Sequence, residues 1–161
     1  MHKKRLWWRL FYSHLWISIA ALLLVGLYGS HLVRKFYLDQ LKADLEARAW
    51  LCGKPVADLL AHGQVARIDS LCKEVGRPTN MRITVVLPSG QVVGDSHENP
   101  QDMDNHKERP EIQDALAGSP GHSIRFSSTE QEERFYVAIP LMDGDSPTAV
   151  VRTSVSVASL N

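Results

Sequence analysis

Between Leu10 and Val33 the chain reads LFYSHLWISIAALLLVGLYGSHLV, with no Asp, Glu, Lys or Arg. A helix of about 24 residues rises roughly 36 Å, slightly more than the roughly 30 Å hydrocarbon layer. The run therefore predicts one transmembrane helix over 10–33, crossing with some tilt. A cleavable signal peptide has a shorter apolar region, about 7–15 residues, followed by small residues. Here Leu27-Tyr28-Gly29-Ser30-His31 makes a poor cleavage site. Before the run lie Lys3, Lys4, Arg5 and Arg9 without an acid; after it, Arg34 and Lys35 are soon offset by Asp39 and Asp44. Basic flanks stay in the cytoplasm, so 1–9 is expected inside and 34–161 extracytoplasmic, anchored in the cytoplasmic (inner) membrane. Trp7, Trp8, Tyr12 and Trp16 suit the inner interface and Tyr28 the outer one.

The residues beyond the span are enough for one compact domain. Formal net charge is zero, but 1–9 holds four of the 18 basic residues and no acid, so the remainder is acidic on balance. That disfavours a nucleic-acid partner. Cys52 and Cys72 are the two cysteines. As a possible disulfide they would close a loop of about 20 residues, worth roughly 3 kcal/mol; as separate buried thiols they would pack as small hydrophobes. No CxxC pair supports a zinc ribbon or a thioredoxin-type site.

Leu38, Leu41 and Leu45, continued by Ala49 or Cys52, repeat at helical spacing, with Asp39, Lys42, Asp44 and Glu46 on other faces. This predicts a membrane-proximal helix over 34–52, ended by Gly53 and Pro55. Its stripe is either a dimer seam or the face that packs on the domain. Short helices are expected at Val56–Ala61 and Val65–Val75, the second stopped by Gly76. Arg82–Leu87 and Gln91–Gly94 form a hairpin about Pro88-Ser89-Gly90. Asp95–Glu108 reads as a long polar loop, of a kind that is usually functional or disordered. Pro110 opens a helix, with Glu111 suited to the positive end of its dipole and Gly118 closing it. Strands follow at His122–Ser128, Arg134–Leu141 and Thr148–Val157, separated by an acidic turn and by Asp143–Pro147. The class is α+β: a five-stranded antiparallel sheet crossed by a long N-terminal helix.

The stretches RITVVLPSGQVVGDS, MDNHKERPEIQDALAG, GHSIRFS, FYVAIPLMDG and AVVRTSVSVASL resemble the extracytoplasmic sensor region of phosphate-regulon-type (PhoR-like) two-component sensor histidine kinases. Asp95-Ser96, Met103-Asp104-Asn105-His106 and Arg109-Pro110-Glu111 are its specific parts. The resemblance implies a PAS-like fold of the Cache or PDC kind over 53–161 and signalling as a homodimer. It also implies a bacterial parent with a second membrane helix, a phosphoacceptor histidine, an ATP- and Mg²⁺-dependent kinase portion and a cognate response regulator. Residues 1–161 contain no second apolar run, phosphoacceptor box or ATP-site box, so no cofactor and no catalysis are expected within them.

In this reading Asp104, Asn105, His106 and Arg109 shape the loop covering one side of the PAS cavity, by capping the next helix or by touching a ligand. His97 and His106 with Asp95, Glu98, Asp102 and Asp104 match no established metal spacing, and the loop reads better as solvated, so no metal is expected. Arg125, Tyr136 and Arg152 lie on three strands and can converge on that cavity, where guanidinium groups grip carboxylate or phosphate. If register turns them outward they are solvent-facing arginines. Ser96 and His97, as strand neighbours, are expected to point apart, and Glu132-Glu133 to sit in a solvated turn. The expected function is a membrane-anchored sensor of a small ligand or extracytoplasmic partner. Its alternatives are an anchored accessory protein or a chemoreceptor domain.

Overall fold

The computed structural model describes residues 2–79, 81–127 and 130–157. Asn80, Ser128 and the side chains of Lys3, Lys4, Arg5 and Arg9 lie outside the described residues. The chain divides into two units, Met1–Leu41 and Lys42–Asn161. The first is helical and carries exposed Leu22, Leu23, Leu24, Val25 and Leu27, consistent with a helix long and apolar enough to cross a membrane.

The elements run α1 (His2–Ala61), a 3₁₀ turn at Val65–Arg67, α2 (Ile68–Thr79), β1 (Arg82–Val86), β2 (Val92–Asp95), a second 3₁₀ turn at Pro100–Asp102, α3 (Pro110–Leu116), β3 (Gly121–Ser127), β4 (Glu132–Asp143) and β5 (Ser146–Ser156). The strands form one antiparallel sheet ordered β2-β1-β5-β4-β3, with β5 at its centre.

Within the second unit, alternation along the strands builds two different faces. Ile83, Val85, Val137, Ile139 and Val151 share one face through cross-strand registration and are essentially unexposed. Leu45, Ala49 and Val56 of α1 and Ile68 and Cys72 of α2 are also buried. Each fully buried Val, Leu or Ile contributes about 1.5–3 kcal/mol. The opposite face is apolar at one end only, where Val86, Val92, Ala138 and Val150 pack with Ile112 and Ala115 of α3.

Gly53, Pro55 and Gly76 were expected to end helices, and none does. α1 continues to Ala61 with Pro55 inside it, and α2 continues to Thr79 with Pro78 inside it. A proline inside a helix costs about 3 kcal/mol, which burial of Val56 and its neighbours offsets. The glycines mark close approach: a Cβ on Gly53 would come within 2.9 Å of Leu141 Cδ2, and one on Gly76 would overlap Ser96. Two turns are shorter than expected. Asp143 pairs with Ser146, leaving Gly144-Asp145 as the turn, with Gly144 at φ +59°. Glu132 and Glu133 belong to β4, opposite Ser127 and Phe126.

Candidate functional site

Beyond the apolar patch under α3, the same sheet face becomes polar: Arg82 and Thr84 on β1, Asp95 on β2, Arg152 and Ser154 on β5, and Arg134 and Tyr136 on β4. All seven are buried. Arg125 and Ser123 of β3 register against Arg134 and Tyr136. The expected convergence of Arg125, Tyr136 and Arg152 is present. The Arg125 guanidinium carbon lies 4.1 Å from the Tyr136 ring centroid and that of Arg152 lies 4.9 Å from it. Two cations share one aromatic ring.

What they converge on was missed by the sequence reading. Glu111, in the first turn of α3, is wholly buried, and its Oε1 accepts from Arg125 Nη2 at 2.9 Å and Arg152 Nη1 at 3.3 Å. Its Oε2 accepts from Ser123 Oγ at 2.6 Å. Burial alone would raise the Glu111 pKa, but the Arg125 and Ser123 hydrogen bonds and both positive charges outweigh it and lower it to about 2. Burial lowers Arg152 to about 10, against the opposing pull of Glu111. The clue was parity: Arg82 and Thr84 alternate with Ile83 and Val85, as Arg152 and Ser154 do with Val151 and Thr153.

The network extends along the sheet. Arg152 Nη2 donates to Thr84 Oγ1 at 3.0 Å, which donates to Asp95 Oδ2 at 2.8 Å, and Arg82 Nε donates to both Asp95 oxygens at 3.0 Å. Arg82 Nη1 reaches Glu130 at 3.0 Å. Burial works against ionised Asp95, but the Arg82 charge and the backbone N–H groups of Glu98 and His97 prevail and hold its pKa below the usual range. Asp95 therefore ends β2 as a buried anion rather than opening a solvated loop. Among the described residues three buried donors have no partner: Arg82 Nη2, Arg125 Nε and Arg152 Nε.

The loop residues play separate parts. Asp104 and Asn105 are exposed. Asn105 Nδ2 donates to Ser89 O at 3.0 Å and its Oδ1 accepts from Lys107 N at 2.9 Å, so it ties the loop to the β1–β2 turn. His106 is buried and its N–H meets Gly90 O at 2.9 Å. Its Nδ1 donates to the Asp104 carbonyl at 2.8 Å, fixing the tautomer. Burial, then the charges of Arg152 and Arg109, lower its pKa to about 4, so it is neutral at pH 7. Arg109 is half-buried at the start of α3, and its side chain makes no capping bond. Ser96 Oγ and His97 Nδ1 lie 2.8 Å apart, contrary to expectation, because β2 ends at Asp95 and strand alternation no longer applies. Ser96 Oγ also accepts from Ile83 N at 3.0 Å and is buried, so this pair fixes the strand end. Among the described residues no group of three or more His, Cys, Asp or Glu is placed to hold a metal ion.

Leu45 is 1 % exposed, and its carbonyl accepts from Thr153 Oγ1 at 3.0 Å, so this member of the leucine stripe packs on the sheet. Leu38 and Leu41 fall in the first unit. Cys52 and Cys72 are free thiols lining one apolar cavity of about 130 Å³ with Val56, Leu71 and Ile83. Burial, with the charges of Asp95 and Asp69, pushes Cys72 up to about 12, so it stays a thiol.

No protein-family model and no curated protein matches the sequence. Solved structures do. The sensor domain of the Vibrio cholerae histidine kinase DctB superposes with a TM-score of 0.63 at 16% identity, over 84% of this chain and 54% of that one. The ligand-binding domain of the Campylobacter jejuni chemoreceptor Tlp3, solved with 4-methylisoleucine, gives 0.60 at 12% identity, over 78% and 54%. That of the Pseudomonas fluorescens chemoreceptor CtaA, solved with L-alanine, gives 0.59 at 13%, over 76% and 56%. The chain spans about half the length of these solved structures. Strand order, helix placement and these likenesses make the fold that of the PAS-like Cache/PDC sensor domains.

Proposed function

We propose that this chain is the extracytoplasmic signal-sensing module of a membrane-bound, PhoR-like two-component sensor histidine kinase, with its N-terminus in the cytoplasm and 34–161 outside. The observation that carries the reading is a pair of neighbours on the central strand. Arg152 faces the buried ionic cluster and bonds Glu111 of α3, while Thr153, on the opposite face, bonds the backbone of α1 at Leu45. A displacement of α3 or of the 95–108 loop therefore acts on β5, and β5 acts on α1. A ligand that prefers one position shifts the population between the two; a full 1:99 to 99:1 switch requires about 5.5 kcal/mol of differential binding.

In this account Arg125, Tyr136 and Arg152 are the ligand-recognising residues, with His106 and Arg109 positioning the loop and α3 over them. The kinase acts as a homodimer, uses ATP and Mg²⁺ in its cytoplasmic portion, and passes phosphate to a response regulator. The coding frame beyond Asn161 tests the proposal directly. A second apolar span followed by a phosphoacceptor-histidine helix and an ATP site is the expected result. A stop codon there overturns the kinase reading and leaves an anchored binding protein.

A further inference from the structure

A buried ion pair adds little net stability compared with apolar residues of the same size, because desolvation cancels much of the attraction. The Glu111 cluster therefore calls for a reason beyond holding the domain together. Its geometry is also incomplete. A free carboxylate grips a guanidinium through two nitrogens in a fork. Glu111 meets Arg125 through Nη2 alone and Arg152 through Nη1 alone, and the Nε of each, buried, bonds nothing. The tether explains the misfit. α3 is a seven-residue helix seated against β3, where a Cβ on Gly121 would overlap the Glu111 carbonyl, and its Ile112 and Ala115 are fixed in the apolar half of the face. Its carboxylate cannot turn to satisfy both forks. The side chain of Arg125 is 21 % exposed, so the cluster has an edge open to solvent.

We propose that Arg125, Arg152 and Ser123, backed by Tyr136, form a carboxylate-binding site whose resident occupant is the chain's own Glu111, and that a small carboxylate from outside takes its place. The inference rests on the sensing reading and names its ligand class. A planar two-oxygen group is favoured over phosphate, because one oxygen serves both arginines and the other serves Ser123. Displacing Glu111 frees the first turn of α3, so ligand binding and helix release are one event.

The test uses the full chain in detergent micelles, with sodium acetate as the probe and sodium chloride at matched ionic strength as the control. Glu111→Ala leaves room for acetate between the two guanidinium groups, and Glu111→Gln keeps the shape without the charge should the alanine variant fail to fold. Thermal melting of either variant is expected to rise saturably with acetate, with a half-saturating concentration at least about tenfold lower than in the unaltered chain. Adding Arg152→Met is expected to abolish the response. Equal acetate responses in variant and unaltered chain, or none in either variant, overturn the proposal, and a stronger response to inorganic phosphate overturns the ligand class. Failure of the sensing reading looks different: acetate refills the Glu111 variants, yet neither acetate nor Glu111→Gln changes phosphorylation by the parent kinase.

Discussion

The two faces of the sheet are built from alternate residues of the same strands and solve burial in opposite ways. On one, Ile83, Val85, Val137, Ile139 and Val151 are buried beneath helices. On the other, the end away from the α3 patch is given to four arginines, Tyr136, Thr84 and Asp95, with Glu111 brought in from α3. The apolar face gains by leaving water, and apolar residues of similar volume exchange there at little cost. The ionic half gains little by burial and depends on every partner being present. One face is therefore tolerant of exchange and the other sensitive to the loss of any single partner.

The largest expected effect separates them. Glu111→Ala leaves Arg125 and Arg152 without their shared counter-charge and is expected to cost about 3–5 kcal/mol by denaturant unfolding. Replacing Glu111, Arg125 and Arg152 together by apolar residues of similar size should recover most of that loss. Ile139→Ala, on the apolar face, should cost about 2–5 kcal/mol, with no partner whose removal rescues it. If the triple replacement is as unstable as Glu111→Ala, the contrast between the faces fails.

Protonation sharpens the comparison. His106 has its folded pKa lowered from 6.5 to about 4, so between these values the unfolded chain binds more protons. Stability should rise with pH across that window and be lost as pH falls through it, on the order of 3 kcal/mol in all. Glu111, lowered from 4.5 to about 2, should add a second loss below pH 4.5. Unfolding midpoints of His106→Asn measured from pH 7 to 4 should lack the first slope. An unchanged slope would place the titrating group elsewhere.

The smallest effect is expected where both partners are wet. Arg48 and Asp44 pair at 2.8 Å one helical turn apart, with side chains 44 % and 53 % exposed. Arg48→Ala should change stability by less than about 0.5 kcal/mol. A loss above about 1 kcal/mol would show that this stretch of α1 carries more than a solvated ion pair.

Much of the fold could be read locally. The hairpin at Pro88-Ser89-Gly90, the helix opened by Pro110 and the alternation of Phe135, Val137, Ile139 and Leu141 all appear where expected. Glycines were ambiguous, because a residue that stops a helix and one that lets a helix touch a strand look the same in a sequence. Gly118 does the first, with φ +93°; Gly53 and Gly76 do the second. The leucine stripe was similarly two-sided, and Leu45 resolved toward packing. At the candidate site the three recognised residues, Arg125, Tyr136 and Arg152, do meet, but Glu111 was assigned to its own helix dipole. Nothing within four residues of it reveals the arginines it binds.

By itself the sequence determined the apolar run, the order of helices and strands, and which residues of each strand share a parity. Those follow from backbone sterics and side-chain period, which act over a few residues. Only the tertiary structure decided which polar residues become partners. Glu111 finds Arg152 from 41 positions away, and Thr84 finds it from 68. Such pairings depend on strand order and register, which put β5 between β1 and β4 and bring the first turn of α3 over it.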